Sequence, residues 1–388
     1  MESTPRLHAT IVHVLSQHRN WLDRRHLKTL AWRIVGLLQS RVSSLTAWPP
    51  YVQSRAVYAQ SLVRRFDRWL HNPRIAVHGL YGPLMQQAIA AWGTHVLYLA
   101  LDTSLLWEAY CIVRISLIYR GRAIPMVWKV LQHPCSSVAY EGYADLLDNA
   151  MALLPCPCQV VFLADRGFAD THLMEHLNKL NWHWRIRIKS SFWIYRPGCH
   201  PCQANRLSLA LGEAQFWHDV NITHSRYGPV HLAVARRQEG QEAWLVVSDE
   251  PTTMKTFEEY GLRFDIEENF LDDKSNGFQL ESSLIRSTVA LERLCLVLAI
   301  TTLYLVAQGV EVRTQGKRRW VDPHWFRGQS YLKIGWHWVT CALARGYELI
   351  TRVYLPAGAD PEPAMASKRQ FQKQLRRCAA LTNHNAAA

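Results

Sequence analysis

Four side chains between Tyr260 and Lys274 have types and a spacing that could bind a metal ion and phosphates on one surface. The segment YGLRFDIEENFLDDK places Tyr260, Arg263, Glu267 and Lys274 at successive separations of three, four and seven residues. On an α-helix these steps put all four side chains on one face over about four turns. A carboxylate between two cations suits a surface that holds a metal ion and binds phosphates nearby. A solvated amphipathic helix with ion pairs has the same pattern, and spacing alone does not separate the two interpretations.

Two further carboxylates end apolar segments that favour β-structure. Asp102 closes HVLYLALD, and Asp165 closes CQVVFLAD. A carboxylate at the carboxyl end of a buried strand lies at the edge where open α/β sheets bind their ligands. Each aspartate, taken singly, is also typical of a residue that caps a turn or the following helix. Together with Glu267 they supply three oxygen ligands, which predicts a site for two Mg²⁺ ions about 4 Å apart.

The motifs LALDTS, LADRGF and Tyr-x2-Arg-x3-Glu-x6-Lys resemble the three signature regions of DDE transposases from bacterial insertion sequences. Within that group the resemblance is to insertion-sequence family four, which carries the YREK signature. It implies a ribonuclease-H-like core in which Asp102, Asp165 and Glu267 are both the catalytic residues and the metal ligands. The implied cofactor is a pair of Mg²⁺ ions, with Mn²⁺ as a substitute and no small-molecule cofactor.

The same resemblance implies how the chain meets its substrate. Tyr260, Arg263 and Lys274 would contact the transposon-end DNA near the cleavage site. The partners would be double-stranded DNA, both the transposon ends and the target. A homodimer would bind the two ends. Members of the family carry a β-rich insertion between the second aspartate and the glutamate, and the interval from Asp165 to Glu267 leaves room for one. They also have a helical end-binding domain ahead of the catalytic core.

The distribution of charge favours a polyanionic partner. The formal net charge is +13, and residues 1–95 hold twelve Lys or Arg against three acids. Apolar residues recur there at helical spacing, and in the third such segment Arg64, Arg65 and Arg68 lie opposite the apolar face. These three residues are the predicted DNA contacts of the helical domain, with helices that enter a groove or clamp phosphates. A plain helical bundle with a solvated basic face is the alternative.

A membrane surface is the other polyanion to consider, and the sequence does not favour it. The amino terminus, MESTPRLHAT, lacks the apolar core of a signal peptide. The longest apolar run, at 294–307, is shorter than the roughly 20 residues that span a bilayer, so it predicts a buried core helix. The expected location is cytoplasmic and nucleoid-associated. The nine cysteines, an odd number, indicate ordinary thiols, and CHPC and CPC form a poor zinc site.

The order of the remaining segments predicts an α/β fold. Three strand-like runs from 95 to 132 are followed by alternating helices and strands, which is typical of a mixed sheet with helices on its faces. Short aromatic runs broken by Gly, Pro and Asn indicate the β-rich insertion at about 190–250. The predicted domains are a helical DNA-binding domain at 1–90, a catalytic domain at 91–350, and a linker with a basic tail at 351–388.

These features predict an enzyme that binds the ends of its own element and catalyses Mg²⁺-dependent cleavage and strand transfer. Two other classes remain open. One is a hydrolytic DNA nuclease on the same fold, which cleaves without joining strands. The other is a non-catalytic DNA-binding relative that keeps only the basic helices.

Overall fold

A computed structural model describes residues 3–18, 21, 23–207, 209–236 and 243–365 of the chain. The predicted basic tail after residue 365 lies outside the described residues. Within these ranges the helices are α1 (Ser3–Ser16), α2 (Arg24–Ser40), α3 (Ala59–Leu70), α4 (Val77–Ala88), α5 (Ala144–Met151), α6 (Thr171–Lys179), α7 (Met254–Gly261), α8 (Phe264–Leu271), α9 (Thr288–Thr314) and α10 (Tyr331–Arg345). The strands are β1 (Val96–Leu106), β2 (Tyr110–Ile118), β3 (Ala123–Leu131), β4 (Gln159–Ala164), β5 (His183–Arg187), β6 (Trp193–Tyr195), β7 (Cys202–Gln203), β8 (Ala214–Ile222), β9 (Tyr227–Ala235) and β10 (Trp244–Ser248).

One mixed sheet contains all ten strands, in the order β3-β2-β1-β4-β5-β10-β9-β8-β6-β7. The first three strands form an antiparallel meander, β4 and β5 then join parallel to β1, and β10 returns antiparallel to β5. Every residue of β2 is buried, including Arg114 and Ser116, which interrupt an otherwise largely apolar sequence. The predicted α/β architecture with a large mixed sheet is confirmed.

The predicted β-rich region at 190–250 contains β6 to β10, and these strands extend the central sheet. The register of the β8–β9 pair shifts at two places. Near them, Gly228 has a positive φ and packs closely against Asn221. A side chain at Gly228 would meet the Val220 carbonyl, so the bend in this ribbon requires glycine.

Hydrogen bonds show which helices cover which face of the sheet. Arg114 of β2 bonds Asn269 of α8, and Trp128, its partner on β3, bonds the Glu292 carbonyl of α9. These helices therefore lie on one face, which we call the α8 face. Lys129, the next residue along β3, points the other way and bonds Asp145 of α5. The sheet is thus covered on both sides, as its apolar strands require.

The first four helices pack onto the core. Helices α2, α3 and α4 contact α9, α1 contacts α10, and their apolar side chains join those of the sheet in one hydrophobic cluster. Arg293 of α9 donates to the carbonyls of Leu70 and Ile75 at the end of α3. The predicted helical character of residues 1–90 is observed, and the domain boundary at 90 stays a prediction.

Helix α9 is the long apolar helix that the sequence predicts for the core. By length and composition it is able to cross a membrane, but 89% of its most apolar window is buried inside the protein. Its contacts with β3, α2 and α10 supply that burial. A helix that is apolar all round and buried all round is a core element.

Two glycines allow α9 and α10 to cross in close contact. A β-carbon added at Gly335 of α10 would collide with the Leu305 carbonyl, and one added at Gly309 of α9 would collide with the Tyr331 carbonyl. Both of these contacts are with backbone carbonyl oxygens, which cannot rotate away as a side chain can. The crossing therefore fixes both positions as glycine.

We expect Gly335→Ala to destabilise the protein by about 1–3 kcal/mol, because the two helix backbones must separate to admit the methyl group. The matched control is Gly79→Ala in α4, where the added atom meets only the Ala76 side chain, at 3.6 Å. That change should be neutral or stabilise by roughly 0.5–1 kcal/mol through chain entropy. Urea unfolding of both variants measures the difference, and equal midpoints would contradict the close crossing.

Candidate catalytic site

The segment from Tyr260 to Lys274 is not the single helix that its spacing predicts. Helix α7 ends at Gly261, a turn follows at residues 262–263, and α8 begins at Phe264. After Leu271 the backbone widens into a π-helical turn at Asp272–Asn276. At the first break, the amide of Arg263 bonds the Tyr260 carbonyl, three residues back, which is a tighter turn than an α-helix makes. The four signature residues therefore lie on four separate pieces of backbone.

Arg263 nevertheless lies between two of the predicted acids. Its Nη1 lies 3.2 Å from Oδ2 of Asp102, and its Nη2 lies 2.5 Å from Oε1 of Glu267. Arg263 is 4% exposed, whereas the Glu267 side chain is 52% exposed and Asp102 is 16% exposed. One buried guanidinium thus contacts carboxylates that are 165 residues apart in sequence.

Sheet register places the third acid beside the first. Leu101 of β1 pairs with Ala164 of β4 in a parallel ladder, so Asp102 and Asp165 follow as neighbours on adjacent strands. Neighbouring strands lie about 4.8 Å apart, so Asp102 lies next to the point where β4 ends. Asp102 does not end its own strand, as the sequence predicts, because β1 continues to Leu106 in its ladder with β2. Asp165 also caps the short turn after β4, because its Oδ1 accepts the Arg166 amide at 2.6 Å. The predicted cap is therefore observed, and a ligand-binding role for Asp165 stays a prediction.

Burial and like charge affect the protonation of this edge. Burial raises the pKa of Asp102 to about 6, the Arg263 charge opposes the shift, and the charges of Glu267 and Asp165 add to it. Burial lowers the pKa of Arg263, but Tyr260 and the two aspartates raise it more, so this arginine stays charged. The acids are thus close enough to repel one another, and Arg263 supplies the balancing charge.

Tyr260 and Lys274 complete the signature from two sides. Tyr260 is buried, its hydroxyl makes no hydrogen bond of normal geometry in the described chain, and its ring packs edge-on against Trp244. Burial raises the pKa of Tyr260, and the adjacent Arg263 charge opposes that shift. Lys274 is half-buried, and its charge acts on the Cys111 thiol, which also lies in the field of Asp102.

One cation at this edge escaped the sequence analysis. On β5, Ile186 pairs with Ala164, so Arg187 is the strand neighbour of Asp165. Its charge also acts on Tyr260, which places it on the same side of the sheet. The signal was the alternation in HWRIRIK, which points Arg185 and Arg187 to one face of the strand. Without the register of β5 against β4, nothing tied that face to Asp165.

The described residues contain one group of three His, Asp or Glu side chains whose ligand atoms lie within 4.8 Å of one another, and it is not the predicted triad. It consists of His183, Asp249 and Glu250, where β5 begins and β10 ends. Internal partners already engage it: His183 Nδ1 lies 2.7 Å from Asp249, and Arg185 lies 2.6 Å from Glu250. His183 and Arg187 are at opposite ends of β5, so this group lies at the far edge of the sheet from Asp165.

The triad still fits hard divalent cations by the chemistry of its donors. Asp102, Asp165 and Glu267 offer only carboxylate oxygens, which Mg²⁺ prefers. Two of them already share one buried positive group, Arg263, so this part of the edge is built to bring acids and a cation together. The metal-binding role of the triad stays a prediction.

A buried ion pair lies next to the site, on the strand beside Asp102. Arg114, the β2 partner of Asp102, is fully buried and donates to Asp273 and to Asn269, both at 2.7 Å. Asp273 lies in the π-helical turn beside Lys274. The pair therefore fastens the end of α8 and the Lys274 backbone to β2, the strand next to the one that carries Asp102.

The predicted DNA contacts of the amino-terminal helices lie on one side of α3. Arg64 and Arg68 are exposed, and Arg65 is half-buried. Arg65 and Arg68 line a cavity of about 480 Å³ between α2 and α3, together with Arg25 and Arg74. Only Asp23 contributes an acid to its lining, and that carboxylate is paired with Arg25. The groove is therefore cationic.

Comparison with known proteins identifies the class. The family described as Transposase DDE domain matches residues 108–304, a span that includes Asp165 and Glu267 and begins just after Asp102. No curated protein matches the chain. Since the match covers half of the sequence, the chain belongs to the DDE-domain transposase family. The protein is thus an enzyme, a DNA transposase.

Two solved structures resemble the chain weakly. One is the cryo-EM structure of the piggyBac transposase synaptic complex with hairpin DNA, at 11% identity over 88% of this chain and 79% of that one, with a TM-score of 0.43. The other is Marinitoga piezophila Argonaute with 5′ OH guide RNA and target DNA, at 11% identity over 62% of this chain and 37% of that one, with a TM-score of 0.22. Neither similarity is close enough to bear on the site.

We expect Asp273→Ala to cost about 3–5 kcal/mol of unfolding free energy, because it leaves the Arg114 guanidinium buried without its acid. The control is Asp145→Ala, which breaks a partly exposed pair with Lys129 on the other face and should cost about 1 kcal/mol or less. Urea denaturation reports both values. Equal losses would show that Arg114 is not held by Asp273.

Proposed function

We propose that this transposase carries the YREK signature of insertion-sequence family four and that β3-β2-β1-β4-β5 is a ribonuclease-H-like core. The supporting observation is the convergence at one sheet edge: β1 and β4 carry Asp102 and Asp165 as neighbours, and Arg263 joins Asp102 to Glu267. In this proposal the three carboxylates are the catalytic and metal-binding residues, and they hold two Mg²⁺ ions, with Mn²⁺ as a substitute.

The ions, when bound, supply Lewis acidity that activates a water or 3′-hydroxyl and stabilises the departing oxygen. The chain supplies position and charge. Asp102 and Asp165 are fixed by the strands, while Glu267 projects from α8 with about half of its side chain exposed, which lets it adjust to the substrate. Arg263, which lies between Asp102 and Glu267, would offer its planar fork to a phosphate of the cleaved strand.

DNA contacts are proposed at two places. Near the acids, Tyr260, Arg263, Lys274 and the newly found Arg187 would hold the transposon end. On the amino-terminal helices, the groove lined by Arg65 and Arg68, with Arg64 beside it, would bind backbone phosphates farther along the duplex. A homodimer that grips two ends, the division into domains at 90 and 350, and a nucleoid location belong to the same proposal.

The rival functions differ in their products. A nuclease on this fold would cleave DNA without joining strands, and a non-catalytic relative would bind DNA without cleaving it. The approach of three ionisable carboxylates at one edge disfavours the second, because a binding protein gains nothing from their repulsion. Joining of cleaved ends to a target molecule distinguishes a transposase from a nuclease.

We expect Asp102→Asn to reduce both cleavage and strand transfer by about a thousand-fold or more, because one metal ligand and its charge are lost. The substrate is a duplex that carries the inverted repeats flanking this reading frame, assayed with Mg²⁺ on a sequencing gel. Asp145→Asn, on the other face of the sheet, should keep full activity. End binding, measured by gel shift, should survive in both variants, and a cleaving Asp102→Asn enzyme would overturn the assignment.

We expect Arg263→Met to move metal binding and catalysis in opposite directions. Removal of the shared cation leaves Asp102 and Glu267 more attractive to Mn²⁺ at pH 8, so affinity should rise roughly ten-fold. Cleavage should fall, since the phosphate loses its guanidinium. Calorimetric titration with Mn²⁺ measures the first effect, and Lys129→Met, on the opposite face, is the control. Weaker Mn²⁺ binding in Arg263→Met would mean that Arg263 organises the acids rather than competing for them.

A further inference from the structure

The connection between α9 and α10, residues 315–330, exposes two tryptophans. Trp325 is 81% exposed and Trp320 is 55% exposed. Trp320 keeps one edge against Trp338 and Tyr347, whose own rings stack on each other, so its other side faces outward. Two exposed indole rings within one connection offer apolar, planar contact area that a partner with flat rings could cover.

This connection is rigid, because a buried arginine holds it from inside. Arg318 pairs with Asp322 at 3.1 Å and donates to the carbonyls of His324, Trp325 and Phe326. Asp322 in turn accepts from the amides of His324 and Gly328. The backbone at Trp325 is therefore fixed before any partner arrives, so binding through this ring costs little ordering entropy.

The charge around the two rings is positive. The Arg319 guanidinium lies 4.0 Å over the Trp325 ring, and Lys317 Nζ lies 5.8 Å from the centre of the Trp320 ring. The nearby acids are already neutralised: Asp322 and Glu362 pair with Arg318, and Asp360 pairs with Arg327. Arg319 and Lys317 make no ion pair within the described part of the chain, which leaves their charge for a partner.

We propose that Lys317, Arg319, Trp320 and Trp325 form a surface that binds a DNA strand with unpaired bases. Planar indole faces stack on bases of any sequence, and flanking cations contact the phosphates between them. Charge complementarity selects DNA over a second copy of this protein, because the chain is strongly basic. The inference rests on the proposed function in one respect: cleavage at a transposon end produces strands that can open. It adds a contact surface built on the α9–α10 connection, separate from the acids on the sheet.

The test measures binding alone. Full-length protein in EDTA, where no chemistry occurs, is titrated into a labelled strand of fifteen thymidines and into a fifteen-base-pair duplex, with anisotropy as the readout. Trp325→Ala should weaken binding to the single strand about ten-fold and leave duplex binding nearly unchanged. Arg319→Ala should reduce the salt dependence of single-strand binding by about 0.7 in log–log slope, one phosphate contact. Tyr354→Ala, another exposed aromatic at 47%, is the control and should match the native protein.

Three results would overturn the proposal. The first is that Trp325→Ala binds the single strand as tightly as the native protein. The second is that Trp325→Ala loses affinity for the single strand and the duplex equally, so that stacking plays no part. The third is that Trp325→Ala dissociates a dimer in sedimentation and leaves DNA binding intact. Because these variants keep Asp102 and the assay needs neither metal nor specific ends, the surface can be supported even if the enzyme proves unable to cleave. Conversely, if the enzyme transposes and Trp325→Ala binds the single strand normally, this inference is wrong and the proposed function stands.

Discussion

The parallel register of β4 against β1 is the constraint on which the site depends. It sets Asp102, within β1, beside Asp165, which directly follows β4. A slip of one residue in this pairing would turn Asp165 to the opposite face of the sheet. The apolar residues that fill both faces of β1 and β4 prevent such a slip, so the core and the candidate site are determined by the same interaction.

Two carboxylates held so close repel each other, and the structure offsets this with buried cations. Arg263 balances Asp102 and Glu267, and Arg114, one strand away, is balanced by Asp273. Glu259 and Arg185 repeat the arrangement farther down the same face, where Tyr98 also bonds Glu259. Ion pairs thus run along the line where α7 and α8 meet the sheet. They connect the helices to the strands at the price of desolvation, and they fix orientation more than they add stability.

Much of this arrangement was predictable from the sequence, and the exceptions have physical causes. Apolar runs ending in Asp102 and Asp165 predicted strands, and those strands are observed, because such runs depend on local pattern and burial. The prediction of a single helix from Tyr260 to Lys274 was wrong, because the spacing of polar residues does not reveal where a helix is interrupted. Arg187 was missed because strand order, a long-range property, decides its neighbours. The bond from Arg263 to Asp102 depends on the same long-range packing.

The interruption of that helix divides the four signature residues among separate pieces of backbone. A continuous helix would carry Tyr260, Arg263, Glu267 and Lys274 along a straight line about 21 Å long, at 1.5 Å per residue. The sheet edge is compact by comparison, since Asp102 and Asp165 are one strand spacing apart. In the structure, the turn at residues 262–263 and the π-helical turn at Asp272–Asn276 interrupt this line. Arg263 then contacts both acids while Tyr260 stays buried against Trp244, and the Arg114–Asp273 pair holds the far end of α8 in place.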